Sequence, residues 1–101
     1  MLDLILRHGT VIDGTGRAGF RADVAVASDR IAIVGDASQK ESRVSIDVSG
    51  KIVAPGFVDV HNHTDAWLLK TNHLAAKTMQ GFTSEVIMSD GISYAPVDER
   101  T

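Results

Sequence analysis

Short apolar runs separated by turn residues fill the first half of the chain. Leu4-Ile5-Leu6, Thr10-Val11-Ile12, Ala22 to Ala27 and Ile31 to Val34 are set apart by Asp13-Gly14-Thr15-Gly16 and Ser28-Asp29-Arg30. That spacing predicts strands of a small antiparallel sheet, with Ser28-Asp29-Arg30 as a hairpin turn. Val and Ile alternate in Asp23-Val24-Ala25-Val26-Ala27 and in Ile31-Ala32-Ile33-Val34, so one face should be buried and the other wet. Gly35 to Glu41 reads as a polar loop. Val44-Ser45-Ile46-Asp47-Val48 alternates again as a further strand and ends in the turn Ser49-Gly50-Lys51.

The pattern changes at Ile52-Val53-Ala54-Pro55-Gly56, where a Pro-Gly pair punctuates the chain. A domain boundary is expected there, with residues 1–54 on one side and 55–101 on the other. Phe57 to His61 is almost continuously apolar, as in a strand buried on both faces of a parallel sheet. A helical segment follows, clearest from Asn72 as N-cap to Gly81 just past its end, with Ala75 and Met79 on one face. Thr83 to Met88 then reads as a second strand, which completes one βαβ unit. A (β/α)8 barrel needs about 250 residues and only about 45 follow Pro55, so at most its opening two strands fit.

Composition narrows the classes. With 101 residues, 44% of them hydrophobic, and a net charge of −3, the chain lies far from the disordered range. No basic run is present to track a phosphate backbone, so nucleic acid is not expected as a partner. The opening Met1-Leu2-Asp3-Leu4-Ile5-Leu6-Arg7 is too short and too early in its acid for a signal peptide or a membrane anchor. The chain has no cysteine, which fits a reducing, cytoplasmic setting and limits any metal site to nitrogen and oxygen ligands.

Candidate chemistry concentrates at His61-Asn62-His63. Side chains alternate along an extended segment, so both imidazoles should project to one side while Asn62 points away. Two neutral imidazoles converging on one point suit zinc or a similar divalent ion, which in a catalytic site takes about three protein ligands and an open position for water. The competing reading is two polar residues at a strand end meeting solvent or a carboxylate. The second strand ends at Ser89-Asp90-Gly91. In a parallel pair its end shares an edge with the histidines, so Asp90 is either a third, oxygen ligand or part of a plain turn. Asp59 shares the side of the histidines one step deeper, either bonded to a ligand imidazole or purely structural. Asp65 reads as a loop acid, and His8 and His73 as surface residues.

These stretches together resemble the amidohydrolase superfamily, in particular its N-acyl-D-amino-acid deacylase (D-aminoacylase) branch. Leu4 to Gly16, with Arg21-Ala22-Asp23-Val24 and Arg30-Ile31-Ala32, is similar to the opening β-sandwich segment of that family. Ala54-Pro55-Gly56-Phe57-Val58-Asp59-Val60-His61-Asn62-His63-Thr64-Asp65 is similar to the metal-binding end of its first barrel strand. Gln80-Gly81-Phe82-Thr83 and Gly91-Ile92-Ser93-Tyr94-Ala95-Pro96 resemble its second strand and the loop that follows.

The resemblance implies an α/β plus β fold: the N-terminal part of a small β-sandwich, then the first βαβ unit of a TIM-type barrel that is incomplete in this chain. It implies a divalent metal, zinc above all, held by His61 and His63 with Asp90 as the third ligand, and water activated for attack on the amide of an N-acylated amino acid. Many D-aminoacylases carry a cysteine in a Gly-Asn-Cys-Gly stretch, and Asp90 stands in its place, a harder ligand of the same charge. The general acid/base of the family falls on later strands and is expected beyond Thr101. No catalytic residue is therefore assigned, and the isolated chain is expected to be inactive. Two other readings remain: a cyclic-amide hydrolase of hydantoinase or dihydroorotase type, against which Gly91 to Pro96 argues, and a small non-catalytic binding module.

Overall fold

In the computed structural model the described residues are 1–71 and 73–88. They form two compact units, Met1 to Pro55 and the part that begins at Gly56.

The first unit is one sheet. Its strands are β1 (Leu2–Val11), β2 (Phe20–Ala27), β3 (Arg30–Gly35), β4 (Ser42–Asp47) and the short β5 (Ile52–Val53). The order is β3-β2-β1-β4, with β5 also on β1. The β1/β2 and β2/β3 pairs are antiparallel, but β4 and β5 run parallel to β1, end to end along the same edge. The sheet is therefore mixed, not antiparallel as the alternation suggested. Alternation identifies a strand and carries no record of its partner's direction.

Two irregularities set which residues share a face. Leu4-Ile5-Leu6 and Thr10-Val11 belong to one strand interrupted by a bulge, where the register slips between Leu6 and Gly9. His8 takes φ +64° there, and its N–H, taken out of the ladder, donates to Asp23 Oδ1 at 2.9 Å. Gly9 follows because a Cβ would lie 2.8 Å from Val53 Cγ2, where β5 packs. In β3 the register slips at Ala32: Ile33 pairs with Ala25 and Ile31 with Val26. Two isoleucines two residues apart thereby reach opposite faces.

On one face Ile5, Ala25 and Ala37 are buried, with Leu2 and Ile33 packed against them. Fully burying an isoleucine such as Ile5 contributes about 1.5–3 kcal/mol. The other face carries two apolar rows across the sheet, Ile31-Val26-Leu4-Val44 and Val34-Val24-Leu6-Ile46. Val24 is buried there, but Ile31, Val34, Val44 and Ile46 are exposed, Ile31 at 67%. The buried face thus also carries the polar Arg7, Asp23, Ser45 and Asp47, and the face expected to be wet is apolar and lacks a covering layer among the described residues.

The second unit holds β6 (Phe57–Asp59), α1 (Asp65–Leu68), α2 (Ala75–Thr78) and β7 (Phe82–Glu85), with β6 and β7 parallel. Phe57 and Val58 are 59% and 58% exposed, so β6 is not the strand buried on both faces that its apolar run suggested. It has one neighbour, β7, among the described residues. The helix expected from Asn72 begins at Ala75 with Leu74 as N-cap, and Asn72 lies outside the described residues. Gly81 ends it as expected, at φ +90° with its N–H on Thr78 O. The second strand is shorter than Thr83 to Met88, because extended pairing stops at Glu85. No described helix is long and apolar enough to cross a membrane.

Candidate metal centre

The strand ends place the histidines. After Asp59 the chain leaves β6, and alternation continues for a few residues: His61 and His63 are exposed, while Asn62 is 6% exposed. The two rings lie with centroids 6.0 Å apart and planes inclined by 52°. Two imidazoles sharing one zinc at the usual bond length of about 2.0–2.1 Å would have centroids roughly 5–6 Å apart, so the ring spacing lies in the range such a pair needs. Among the described residues no group of three or more His, Asp or Glu converges as a metal site. Asp90, expected as the third ligand, lies outside the described residues, as does the rest of the chain to Thr101, beyond which the general acid/base is expected.

Beneath the pair runs a polar network. Asp59 Oδ1 accepts from the His61 backbone N–H at 3.1 Å, and Oδ2 is paired with Lys77 Nζ. The hydrogen bond from Lys77, first, and the His61 N–H hold the Asp59 carboxyl below its ordinary value, while Asp59 raises the Lys77 ammonium above its own. Lys77 Nζ also stands 3.3 Å from Glu85 Oε1, as an ion pair without hydrogen-bond geometry. Asp59 and Glu85 are neighbours in register on β6 and β7, so one ammonium from α2 neutralises two adjacent carboxylates. The Thr64 hydroxyl, with a single proton to donate, sits against both Asn62 Oδ1, at 2.8 Å, and the Glu85 carboxylate.

Further bonds join this segment to the end of β7. Val86 N–H donates to Asp59 O at 2.8 Å, and Asn62 Nδ2 donates to Val86 O at 3.2 Å. Asp65, read from sequence as a loop acid, is 1% exposed at the start of α1, and its Oδ1 accepts from Met88 N–H at 2.9 Å. Sequence reasoning missed Lys77, Glu85 and the inward role of Asn62. The spacing Asn62-x-Thr64 was a usable signal, since an Asn oxygen commonly accepts from the residue two positions on, as Thr64 N–H does here at 3.3 Å. Lys77 and Glu85 carried no local signal, because their partners are distant in sequence. His8, expected at the surface, is exposed with Nδ1 3.3 Å from Asp47 Oδ1.

The open cleft of about 320 Å³ beside α2 and β7 includes Leu68, Leu74, Lys77 and Phe82 and contains neither histidine.

No family model matches the chain. It is 47% identical over 95 residues, 94% of its length, to the D-aminoacylase of Alcaligenes xylosoxydans xylosoxydans, and covers 20% of that protein. A solved D-aminoacylase mutant in complex with copper chloride superposes with a TM-score of 0.89 and 52% identity over 96% of this chain and 20% of that one. An N-acyl-D-glutamate deacylase from Bordetella bronchiseptica, complexed with zinc and a phosphonate mimic of the tetrahedral intermediate, gives 0.79 and 45% over 83% and 18%. The L-hydantoinase of Arthrobacter aurescens is more distant, at 0.56 and 34% over 62% and 14%. The chain spans about a fifth of the length of these curated relatives.

Proposed function

We propose that this chain, a D-aminoacylase-like segment of the amidohydrolase superfamily, supplies the first metal ligands of a hydrolase that cleaves the amide bond of N-acylated D-amino acids. The observation that carries the reading is the histidine pair: two imidazoles 6.0 Å apart on the exposed side of a segment whose middle residue, Asn62, is turned inward. His61 and His63 are the first two ligands and Asp90 the third. The parallel β6/β7 pair with its intervening helices supports the opening βαβ unit of a (β/α)8 barrel. The bare apolar rows of the first unit support one layer of a β-sandwich.

Imidazole nitrogens suit zinc, which also accompanies the deacylase relative. When bound, such an ion acidifies water to near neutrality and polarises an amide carbonyl. The chain's own residues fix the donors: Asp59 holds the His61 backbone, and Asn62, anchored on Val86, holds the peptide between the two ligands. The groups that move protons and recognise the substrate carboxylate are proposed to lie outside this segment, in a cytoplasmic enzyme. A linear amide is favoured over the cyclic amide of a hydantoinase because the likeness to D-aminoacylase extends over 96% of the chain, against 62%.

Zinc titration of the chain, followed by the ring proton resonances of His61 and His63, is the direct test. Both rings should shift together, and His61→Ala should abolish the response of His63. Independent responses, or none, would remove the shared site. The chain alone should not hydrolyse N-acetyl-D-amino acids, and zinc-dependent turnover by it would refute the division of labour proposed here.

A further inference from the structure

The histidine segment is tied at both ends to carboxylates that meet on one cation. Before the pair, Asp59 Oδ1 accepts from the His61 N–H at 3.1 Å. After it, the Thr64 N–H donates to Asn62 Oδ1 at 3.3 Å, and the Thr64 hydroxyl lies against Glu85 Oε2. Asp59 and Glu85 stand opposite each other in register on β6 and β7, where like charges repel. Lys77 Nζ pairs with Asp59 Oδ2 and stands 3.3 Å from Glu85 Oε1. The three side chains are largely withdrawn from water, at 26% exposure for Lys77, 16% for Asp59 and 15% for Glu85. Solvent therefore screens neither the attraction nor the repulsion fully. Glu85 Oε1 is buried without a hydrogen-bond partner, and a carboxylate oxygen in that state depends on a nearby cation, here Lys77. The ammonium also lies over the Phe82 ring, 5.4 Å from its centroid.

We propose that Lys77 is a positioning residue for the histidine pair: its ammonium, set between Asp59 and Glu85, holds both carboxylates against the histidine segment and so maintains the spacing of the His61 and His63 rings. The inference rests on the reading of His61 and His63 as ligands of one ion. Without the cation, two carboxylates facing each other across β6 and β7 would turn apart. Asp59 would then leave the His61 N–H, and Glu85 would leave Thr64. The two ends of the segment would loosen together, although neither histidine touches Lys77 in the contacts described above.

The test is made on the whole chain with two readouts, zinc affinity from the ring resonances of His61 and His63 and hydrogen exchange at single amides. Lys77→Met, which keeps the apolar stem and removes the charge, should weaken zinc by about 10-fold, the low end for a residue that supports a ligand. It should also speed exchange at the His61 and Thr64 amides more than at Phe57 and Val86, whose N–H groups bond to backbone carbonyls, Gly81 O and Asp59 O. Equal acceleration at all four amides would make Lys77 a structural residue only and overturn the proposal. Lys77→Arg, which restores the cation, should recover most of both effects, and a loss as large as with methionine would overturn the role given to the charge. If circular dichroism shows that Lys77→Met has unfolded, Lys77→Gln replaces it, with the same expected pattern and the same overturning results. If His61→Ala and His63→Ala leave zinc affinity unchanged, the ligand reading fails and the inference falls with it. If those two variants weaken zinc while the folded, uncharged Lys77 variant does not, the inference fails alone.

Discussion

The two units are held together by different kinds of buried residue. In the first, the interior is apolar, made by Ile5, Val11, Val24, Ala25 and Ala37, with Asp23 as its one buried acid among the described residues. In the second, the buried residues among those described are Asn62 and Asp65, both polar, while Phe57, Val58, Val60 and Trp67 stay exposed. Apolar burial is non-directional and tolerates adjustment. Hydrogen-bonded burial fixes angles and distances, and it is costly when incomplete. The first unit is thus organised around an apolar interior, and the second around hydrogen-bonded polar side chains, with large apolar side chains left exposed among the described residues.

The contrast can be broken most directly at Ile5. Ile5→Ala should cost about 2–5 kcal/mol of stability in the first unit, read as early loss of amide protection in β1 and β2 during denaturation. A cost below about 1 kcal/mol would mean that this core is not what holds the sheet. In the second unit Asn62→Ala, which leaves Val86 O and the Thr64 N–H without their partner, should cost about 1–3 kcal/mol and loosen the histidine rings. If Asn62→Leu were instead as stable as the parent with the rings unmoved, polar anchoring would not distinguish the two units.

Acid provides a smaller and more selective probe. In the first unit the hydrogen bond from the His8 N–H, above all, with that from Ala37 N–H and the charge of Arg7, holds the Asp23 carboxyl below its ordinary value against the opposing effect of burial. A depressed folded-state value means stability that is fully present above the ordinary carboxylate range and is lost as pH falls through that range toward the folded value. Stability should decline over that interval, and Asp23→Asn should flatten the decline. An unchanged pH profile in the variant would exclude Asp23 as its source. The smallest effect is at exposed Asp47, whose carboxyl the Ser49 hydroxyl, the Ser49 N–H and His8 bring down to about 2. A carboxyl carbon chemical shift that titrated near the ordinary carboxylate value would contradict those bonds.

Much of this architecture was legible in the residues. The Val and Ile alternation located β2 and β3, and Gly81 ended its helix. The His-x-His spacing anticipated two rings on one side with Asn62 opposed. Strand direction was not legible, because β4 is parallel to a β1 that lies far from it in sequence, and alternation is the same for either orientation. Nor was the burial of Asp65, since an acid's burial depends on the single N–H that meets it, here 23 residues away. Lys77 stayed hidden for the same reason, its two carboxylate partners lying on different strands.

The slip at Ala32 acts as a phase shift in an otherwise regular wave. Before it, odd-numbered residues of β3 point to one side of the sheet, and after it to the other, so Ile31 and Ile33 each serve a different layer. Were Ala32 paired in strict alternation instead of bulged, Ile31 would fall on the side already occupied by Ile5 and Ala25. The outer row would lose its terminal member, and the inner layer would become overfilled. A strand that a simple two-state code would write as half inside and half outside thus supplies apolar groups to both sides of the sheet through a single extra residue.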